Sequence, residues 1–173
     1  MNIITESERL YIRKLVPNDI ESFYRLESDP RVIKFIPNNK TLSYNECKKV
    51  LYKYIKNYKT NKLGTWAIVL QDTNELIGVT QLKYSRKIKK VEIGTKIMPK
   101  YWGYGYASEL SSILIDYGLY KLNIDEIFAI TNIGNVGAIK SLENIGMEFL
   151  KYGYYNGAEV VYYSIKKKNE GRT

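Results

Sequence analysis

The clearest pattern of apolar and polar positions lies between residues 91 and 119, where an alternating segment is followed by a helical one. Apolar β-branched side chains at alternate positions predict a strand over 91–98, and Pro99 ends it. Beyond a turn that contains two glycines, apolar residues recur on one helix face, which predicts a helix over 105–120. The residues that carry the two patterns are Val91, Ile93 and Ile97 for the strand, and Leu110, Ile113, Leu114 and Tyr117 for the helix.

The same reasoning predicts the order of elements along the rest of the chain. The predicted strands are 9–15, 65–70, 75–84, 127–131, 148–154 and 160–165, and the predicted helices are 20–27, 43–58 and 136–145. Asp19 is expected to cap the first helix, and Ser43 with Glu46 forms a capping box for the second. Gly78 interrupts its strand, which indicates a bulge or a close backbone approach. An antiparallel meander followed by alternating strands and helices predicts one mixed α/β domain over 1–173.

Composition narrows the chemistry that this chain can perform. The net charge of +9 fits a nucleic-acid or ribosome surface, or a site for a polyanion such as coenzyme A (CoA), and it disfavours a polycationic substrate. One cysteine, Cys47, and no histidine exclude a Ser-His-Asp triad, a Cys-His pair and a histidine-based zinc site. A single cysteine fits a reducing cytoplasm, and neither a signal peptide nor a membrane span is expected.

The turn between the predicted central strand and its helix has the features of an anion site. Gly103 and Gly105 flank Tyr104 just before the helix begins, where backbone N–H groups are unpaired and the helix dipole is positive. The turn lacks the Gly-Lys-Ser/Thr of a nucleotide P-loop and the third glycine of a dinucleotide fold. A plain tight turn is the alternative interpretation, and a different phosphate ligand is the functional one.

Several segments of the chain resemble the GNAT acyltransferases, in particular the ribosomal-protein N-terminal acetyltransferases of the RimJ and RimL type. Glu92-Ile93-Gly94 and residues 99–107 match the pattern EIG...PxxWGxGYA, and residues 5–10 and 28–32 match the opening TERL and SDPxV segments. Residues 135–149 are similar to the family's N-x-x-S-I-x-V-L-E-K-L-G-F signature. The resemblance implies a mostly antiparallel central sheet that splays at its middle strands, flanking helices, and acetyl-CoA as co-substrate without a metal.

The resemblance also implies which residues contact acetyl-CoA. The pyrophosphate would lie on backbone amides of the turn, whose residues are Lys100, Trp102, Gly103, Tyr104, Gly105, Tyr106 and Ala107, and amides near Ile97 and Met98 would polarise the thioester carbonyl. Lys100 stands where the family has Arg or Gln, a mild change if the contacts are main-chain ones. Asn135 would contact or brace the pantetheine arm and Lys140 would approach the phosphates. A helix cap and a surface lysine are the alternatives.

Transfer of an acetyl group to an amine requires a base, and without histidine the candidates are a carboxylate, a tyrosine or water. Glu92 is the candidate, because the resembling strand carries the base in several GNAT enzymes and partial burial would raise its pKa. A salt-bridged strand carboxylate is the alternative. Ala138 and Leu142 replace the family's usual Ser and Tyr, so the group that protonates the CoA thiolate stays unassigned.

The sequence therefore predicts an N-acetyltransferase that transfers the acetyl group of acetyl-CoA directly to a primary amine. A protein N-terminus of the ribosomal type is the first acceptor considered. A small amine such as a polyamine, an antibiotic or an amino-acid derivative is the second. A CoA-binding module without turnover is the alternative from another class, and nucleic-acid binding rests on charge alone. A homodimer is possible for a protein of this kind.

Overall fold

A central sheet of eight strands organises the fold in the computed structural model, which describes residues 3–36, 40–59 and 62–168. The strands are β1 (Ile3–Glu6), β2 (Leu10–Lys14), β3 (Gly64–Leu70), β4 (Leu76–Ser85), β5 (Lys90–Ile97), β6 (Glu126–Asn132), β7 (Glu148–Tyr155) and β8 (Ala158–Lys166). They lie side by side in the order β1-β2-β3-β4-β5-β6-β8-β7, and every neighbouring pair except β5 and β6 is antiparallel. The mixed α/β fold that the sequence predicts is thus confirmed.

Five helices flank the sheet in the described part of the chain. They are α1 (Ile20–Glu27), α2 (Pro30–Ile33), α3 (Tyr44–Asn57), α4 (Tyr106–Asp116) and α5 (Val136–Asn144). A π-helical turn over Tyr117–Lys121 continues α4. The capping box of Ser43 and Glu46 is confirmed at the start of α3. No helix in the described ranges has the length and apolar character needed to cross a membrane.

Three details differ from the sequence prediction. Strand β1 and the one-turn helix α2 were not predicted, because four-residue segments carry too little periodicity to be recognised. The predicted cap on α1 is wrong, since Asp19 makes no side-chain capping bond there. Its carboxylate instead accepts two hydrogen bonds from Arg13, each 2.8 Å long, and one from the Val16 amide. That ion pair fixes the turn after β2 rather than the helix.

Apolar side chains on the two faces of the sheet form separate cores. Because successive strand residues point to opposite faces, Trp66 and Ile68 of β3 pack beneath α4 and α5, whereas Ala67 and Val69 pack against α1 and α3. Leu110 and Leu114 from α4 are fully buried in the first core, and Phe23 and Leu51 from α1 and α3 are fully buried in the second. The second core covers only the β2 to β5 half of its face.

The parallel contact between β5 and β6 is short, and this positions the candidate site. Only three residue pairs are in register, from Val91 opposite Ile127 to Ile93 opposite Ala129. Both strands continue beyond these pairs, to Ile97 and Asn132 respectively, without pairing with each other. The sheet therefore opens in its middle, and one edge of β5 is left without a neighbouring strand.

The backbone of β5 lies against Gly78 of β4, and the predicted close approach is confirmed. A Cβ atom at this position would lie 2.2 Å from the carbonyl oxygen of Lys96 and 3.0 Å from the Ile97 Cα. The register of β3 against β4 also shifts beside it, between Ile68 and Val69. Because the obstructing atoms belong to the backbone of β5, the strand itself must move to admit a side chain.

We therefore expect Gly78→Ala to destabilise the protein by about 2 kcal/mol, the usual cost of overpacking a well-packed interior. Gly137→Ala in α5 is the matched control, since a Cβ there meets nothing within 4 Å. That change should be neutral or stabilising by up to about 1 kcal/mol, because alanine favours the helix. Chemical unfolding of the two variants checks the pair, and equal stabilities would contradict the close approach.

Candidate active site

The turn between β5 and α4 presents a row of backbone amides. Gly103 and Gly105 have positive φ angles of 85° and 79°, a conformation that favours glycine. The ladder of α4 begins with the Glu109 amide, which donates to the Gly105 carbonyl. Within the described residues, the amides of 103–108 have no hydrogen-bond acceptor. Six consecutive donors at a positive helix terminus form a site suited to a phosphate.

The long side chains of this turn are held away from those amides. Lys100 Nζ donates to Glu75 at 2.6 Å, and this hydrogen bond raises the pKa of Lys100 above its ordinary value. The indole Nε1 of Trp102 donates to the Ile97 carbonyl at 2.7 Å. An anion on the turn would therefore meet backbone donors first, in agreement with the main-chain contacts that the resemblance implies.

The edge of β5 that faces the opening carries a second set of amides. The Met98 amide donates to the Ile77 carbonyl at 2.9 Å, so it bonds toward β4 and is occupied in this structure. Because strand amides alternate between the two edges, those of Thr95 and Ile97 face β6, beyond the last paired residue. The amides that face the opening are thus those of Thr95 and Ile97, whereas that of Met98 faces β4. The polarisation of a thioester by amides near Ile97 and Met98 stays a prediction.

Glu92 is a buried carboxylate for which the described part of the chain provides no hydrogen-bonding partner. Glu92 is 8 % exposed, and its Oε2 has no hydrogen-bond partner among the described residues. Burial raises its pKa, and the positive charge of Lys83 acts in the opposite direction. No described residue forms a salt bridge with Glu92, so the alternative of a paired structural carboxylate does not fit. A carboxylate of this kind binds a proton more readily than an exposed one.

A partly buried ion pair that the sequence did not reveal lies on the same face of β5. Lys96 Nζ donates to both carboxylate oxygens of Glu27 at 2.7 Å. Glu27 comes from the end of α1 and is 5 % exposed. The two residues are 69 positions apart, so no local spacing signals their contact. This pair places a second carboxylate and a cation beside the open edge of β5.

The two candidates on α5 are less closely tied to the site. Asn135 caps the helix, and its Oδ1 accepts a hydrogen bond from the Ala138 amide at 3.2 Å. This is the structural alternative to a contact with pantetheine. Lys140 is exposed on α5. No hydrogen bond or ion pair among the described residues joins either one to the 103–108 turn. Leu142 packs against the core, so this position supplies no proton donor.

Comparison with known proteins agrees with this geometry. Residues 9–148 match the model of the acetyltransferase (GNAT) domain. An uncharacterized N-acetyltransferase from Bacillus subtilis, YoaA, is 28% identical over 174 residues, covering 96% of this chain and 98% of the relative. A GNAT-family acetyltransferase structure from Bacillus anthracis superposes with a TM-score of 0.82 at 27% identity, covering 96% of this chain and 98% of that one.

A more distant structure shares the fold. RimL, a ribosomal α-N-protein acetyltransferase solved in complex with CoA, has a TM-score of 0.81 at 17% identity, covering 95% of this chain and 98% of that one. This chain belongs to the GNAT acetyltransferase family, and it is an acetyl-CoA-dependent N-acetyltransferase.

We expect Gly105→Ala to weaken CoA binding by about tenfold, because a side chain at a positive φ costs about 1 kcal/mol or more and shifts the amides that hold the phosphate. The matched control is Gly146→Ala at the end of α5, which has the same φ of 79° and, like Gly105, no backbone near its Cβ position. Both variants should lose similar stability. Calorimetric titration with CoA separates them, and equal affinities would contradict the role of the 103–108 amides.

Proposed function

We propose that this N-acetyltransferase acetylates the N-terminal α-amine of a protein and that Glu92 is its general base. The observation that carries the proposal is the buried carboxylate of Glu92, unpaired among the described residues and lying on the β5 strand that borders the opening. RimL is named for the corresponding reaction, although its similarity concerns the fold alone.

The charges around Glu92 favour an acceptor of low basicity. Lys83 lies directly opposite Glu92 on β4, and Lys96 follows on the same face of β5. The charge of Lys96 is balanced by its ion pair with Glu27, so the opposing charge comes mainly from Lys83. A cation at that position opposes the binding of an ammonium group and favours an amine that is already partly neutral. An α-amine has a pKa of about 7.7–8.0, whereas an alkyl ammonium such as lysine lies near 10.4. A single carboxylate base is therefore better matched to an α-amine.

The proposed reaction uses each feature in turn. The phosphates of acetyl-CoA bind the 103–108 amides, and the thioester carbonyl accepts from the Thr95 or Ile97 amide at the open edge. The amine attacks this carbonyl carbon and loses a proton to Glu92, and the C–S bond then breaks. About 10 Å of strand separate Glu92 from Thr95, so the proton passes through water. The CoA thiolate takes its proton from solvent, since no side chain is assigned to that step.

The acceptor is tested with three substrates: a peptide with a free α-amine and no lysine, an N-acetylated peptide of the same length in which one residue is replaced by lysine, and a polyamine. We expect turnover with the first and little with the other two. Release of the CoA thiol measures all three. Turnover on the polyamine alone would contradict the proposed acceptor and favour the small-molecule alternative.

We expect Glu92→Gln to lower kcat by about 100-fold, the usual contribution of a general base, while the KM for acetyl-CoA changes little. Wild-type activity should fall as the pH drops through the raised pKa of Glu92, because only the ionised form accepts a proton. This loss of activity at low pH, the acid limb of the pH profile, should be absent in the variant. Steady-state kinetics across pH measure both effects.

Two controls accompany this variant. A raised folded-state pKa gives stability that is present at low pH and lost as the pH rises through that pKa, so Glu92→Gln should raise Tm at pH 8. A structural carboxylate would give a lower Tm instead. Lys83→Met removes the charge that opposes the pKa shift, so the acid limb should move to higher pH. An unmoved limb would exclude Glu92 as the titrating group.

A further inference from the structure

A cluster of three residues, Ser7, Arg9 and Glu109, connects the N-terminal part of the chain to the turn that carries the 103–108 amides, here called the amide turn. Arg9 Nε donates to Glu109 Oε2 at 2.7 Å, and the Ser7 hydroxyl donates to Oε1 at 2.7 Å. The Arg9 amide also donates to Oε1, at 3.2 Å. These bonds dock the β1–β2 turn onto the first turn of α4.

Arg9 also reaches the amide turn itself. Its Nη1 donates to the Tyr104 carbonyl at 3.1 Å, and its guanidinium carbon lies 4.6 Å from the centre of the Tyr106 ring. The Tyr104 ring stacks on that of Tyr106, with ring centroids 5.7 Å apart. One guanidinium therefore joins the carbonyl between the two glycines to a carboxylate on the helix.

This contact determines which way the neighbouring amide points. The Tyr104 carbonyl and the Gly105 N–H belong to one planar trans peptide, so they point in opposite directions. Gly105 supplies the N–H of this peptide and has a positive φ of 79°, and a glycine at that position lets the peptide rotate easily. A hydrogen bond that holds the Tyr104 carbonyl on the Arg9 side therefore directs the Gly105 N–H to the opposite side, away from Arg9.

Arg9 also compensates a negative charge beside the phosphate site. Glu109 lies in the first turn of α4, and burial alone would raise the pKa of its carboxyl. The hydrogen bonds from Ser7 and Arg9 outweigh burial and hold that pKa below its ordinary value, so the carboxylate is charged at neutral pH. Without Arg9, an unpaired anion would stand one turn from the bound phosphate.

We infer that Arg9 is a positioning residue for acetyl-CoA, which fixes the Tyr104–Gly105 peptide so that the 103–108 amides converge on the phosphates. The inference rests on the assignment of those amides to CoA in the proposed function. The inference predicts that loss of Arg9 weakens the binding of co-substrates that carry phosphates and leaves the acetyl-transfer step itself unchanged.

The test compares two acetyl donors in wild type, Arg9→Gln and Glu109→Gln. We expect Arg9→Gln to raise the KM for acetyl-CoA and the Kd for CoA by about tenfold, with kcat nearly unchanged, because a charged hydrogen bond that orders the site is lost. S-acetylpantetheine carries no phosphate, so its kcat/KM should be the same in variant and wild type. Glu109→Gln should show the same selectivity with a smaller effect.

Controls keep the inference falsifiable. Arg31→Gln removes an exposed arginine that pairs with Asp29 in α2, and it should leave both donors unaffected. Equal losses on both donors, or no loss on acetyl-CoA, would overturn the inference. Arg9→Lys keeps the charge but not the fork that holds two partners, so full recovery by lysine would overturn positioning in favour of simple charge attraction. Failure of wild type to bind CoA would instead refute the proposed function.

Discussion

The early end of the β5–β6 ladder is the constraint on which the rest of the structure depends. Three paired residues join two halves of the sheet, and beyond them the strands separate although both remain extended. Unpaired strand amides lose stabilising hydrogen bonds unless another group accepts from them. In the proposed function, the pantetheine arm of acetyl-CoA lies along this edge and supplies such acceptors, in the manner of an added strand. The open edge weakens the sheet, and under this proposal it is also the place where the thioester is held.

Two cores stabilise the sheet on either side of this opening. The core beneath α4 and α5 spans the junction, with Ile93 from β5 and Ala129 from β6 in one cluster. The opposite core ends near β5, where Lys96 pairs with Glu27. Glu92 lies on the same face of the sheet as this second core but outside its cluster of apolar residues, and it is nevertheless buried. Such a position desolvates the Glu92 carboxylate, whose Oε2 has no partner in the described part of the chain. This costs stability, and it suits the carboxylate to the role of base that we propose.

Much of the fold could be predicted from the sequence, because its elements carry local signals. Alternating and helical periodicities predicted seven of the eight described strands and four of the five described helices, and the capping box at Ser43 marked the start of α3. The glycine turn was recognisable because glycine is typical of positive φ and because the helical periodicity begins directly after it. Asp19 was misassigned, since a capping residue and an ion-pair partner look the same until Arg13 is placed beside it.

What the sequence did not reveal are contacts between distant positions. Arg9 and Glu109 are 100 residues apart, and Glu27 and Lys96 are 69 apart, so their pairing follows only from the packing of whole elements. The occupied Met98 amide likewise depends on strand register, which a single sequence does not fix. These contacts lie beside β5 and the 103–108 turn, the two segments that local sequence patterns had identified as the candidate site. The sequence thus predicted where the backbone donors lie, whereas the residues that orient them come from the tertiary structure.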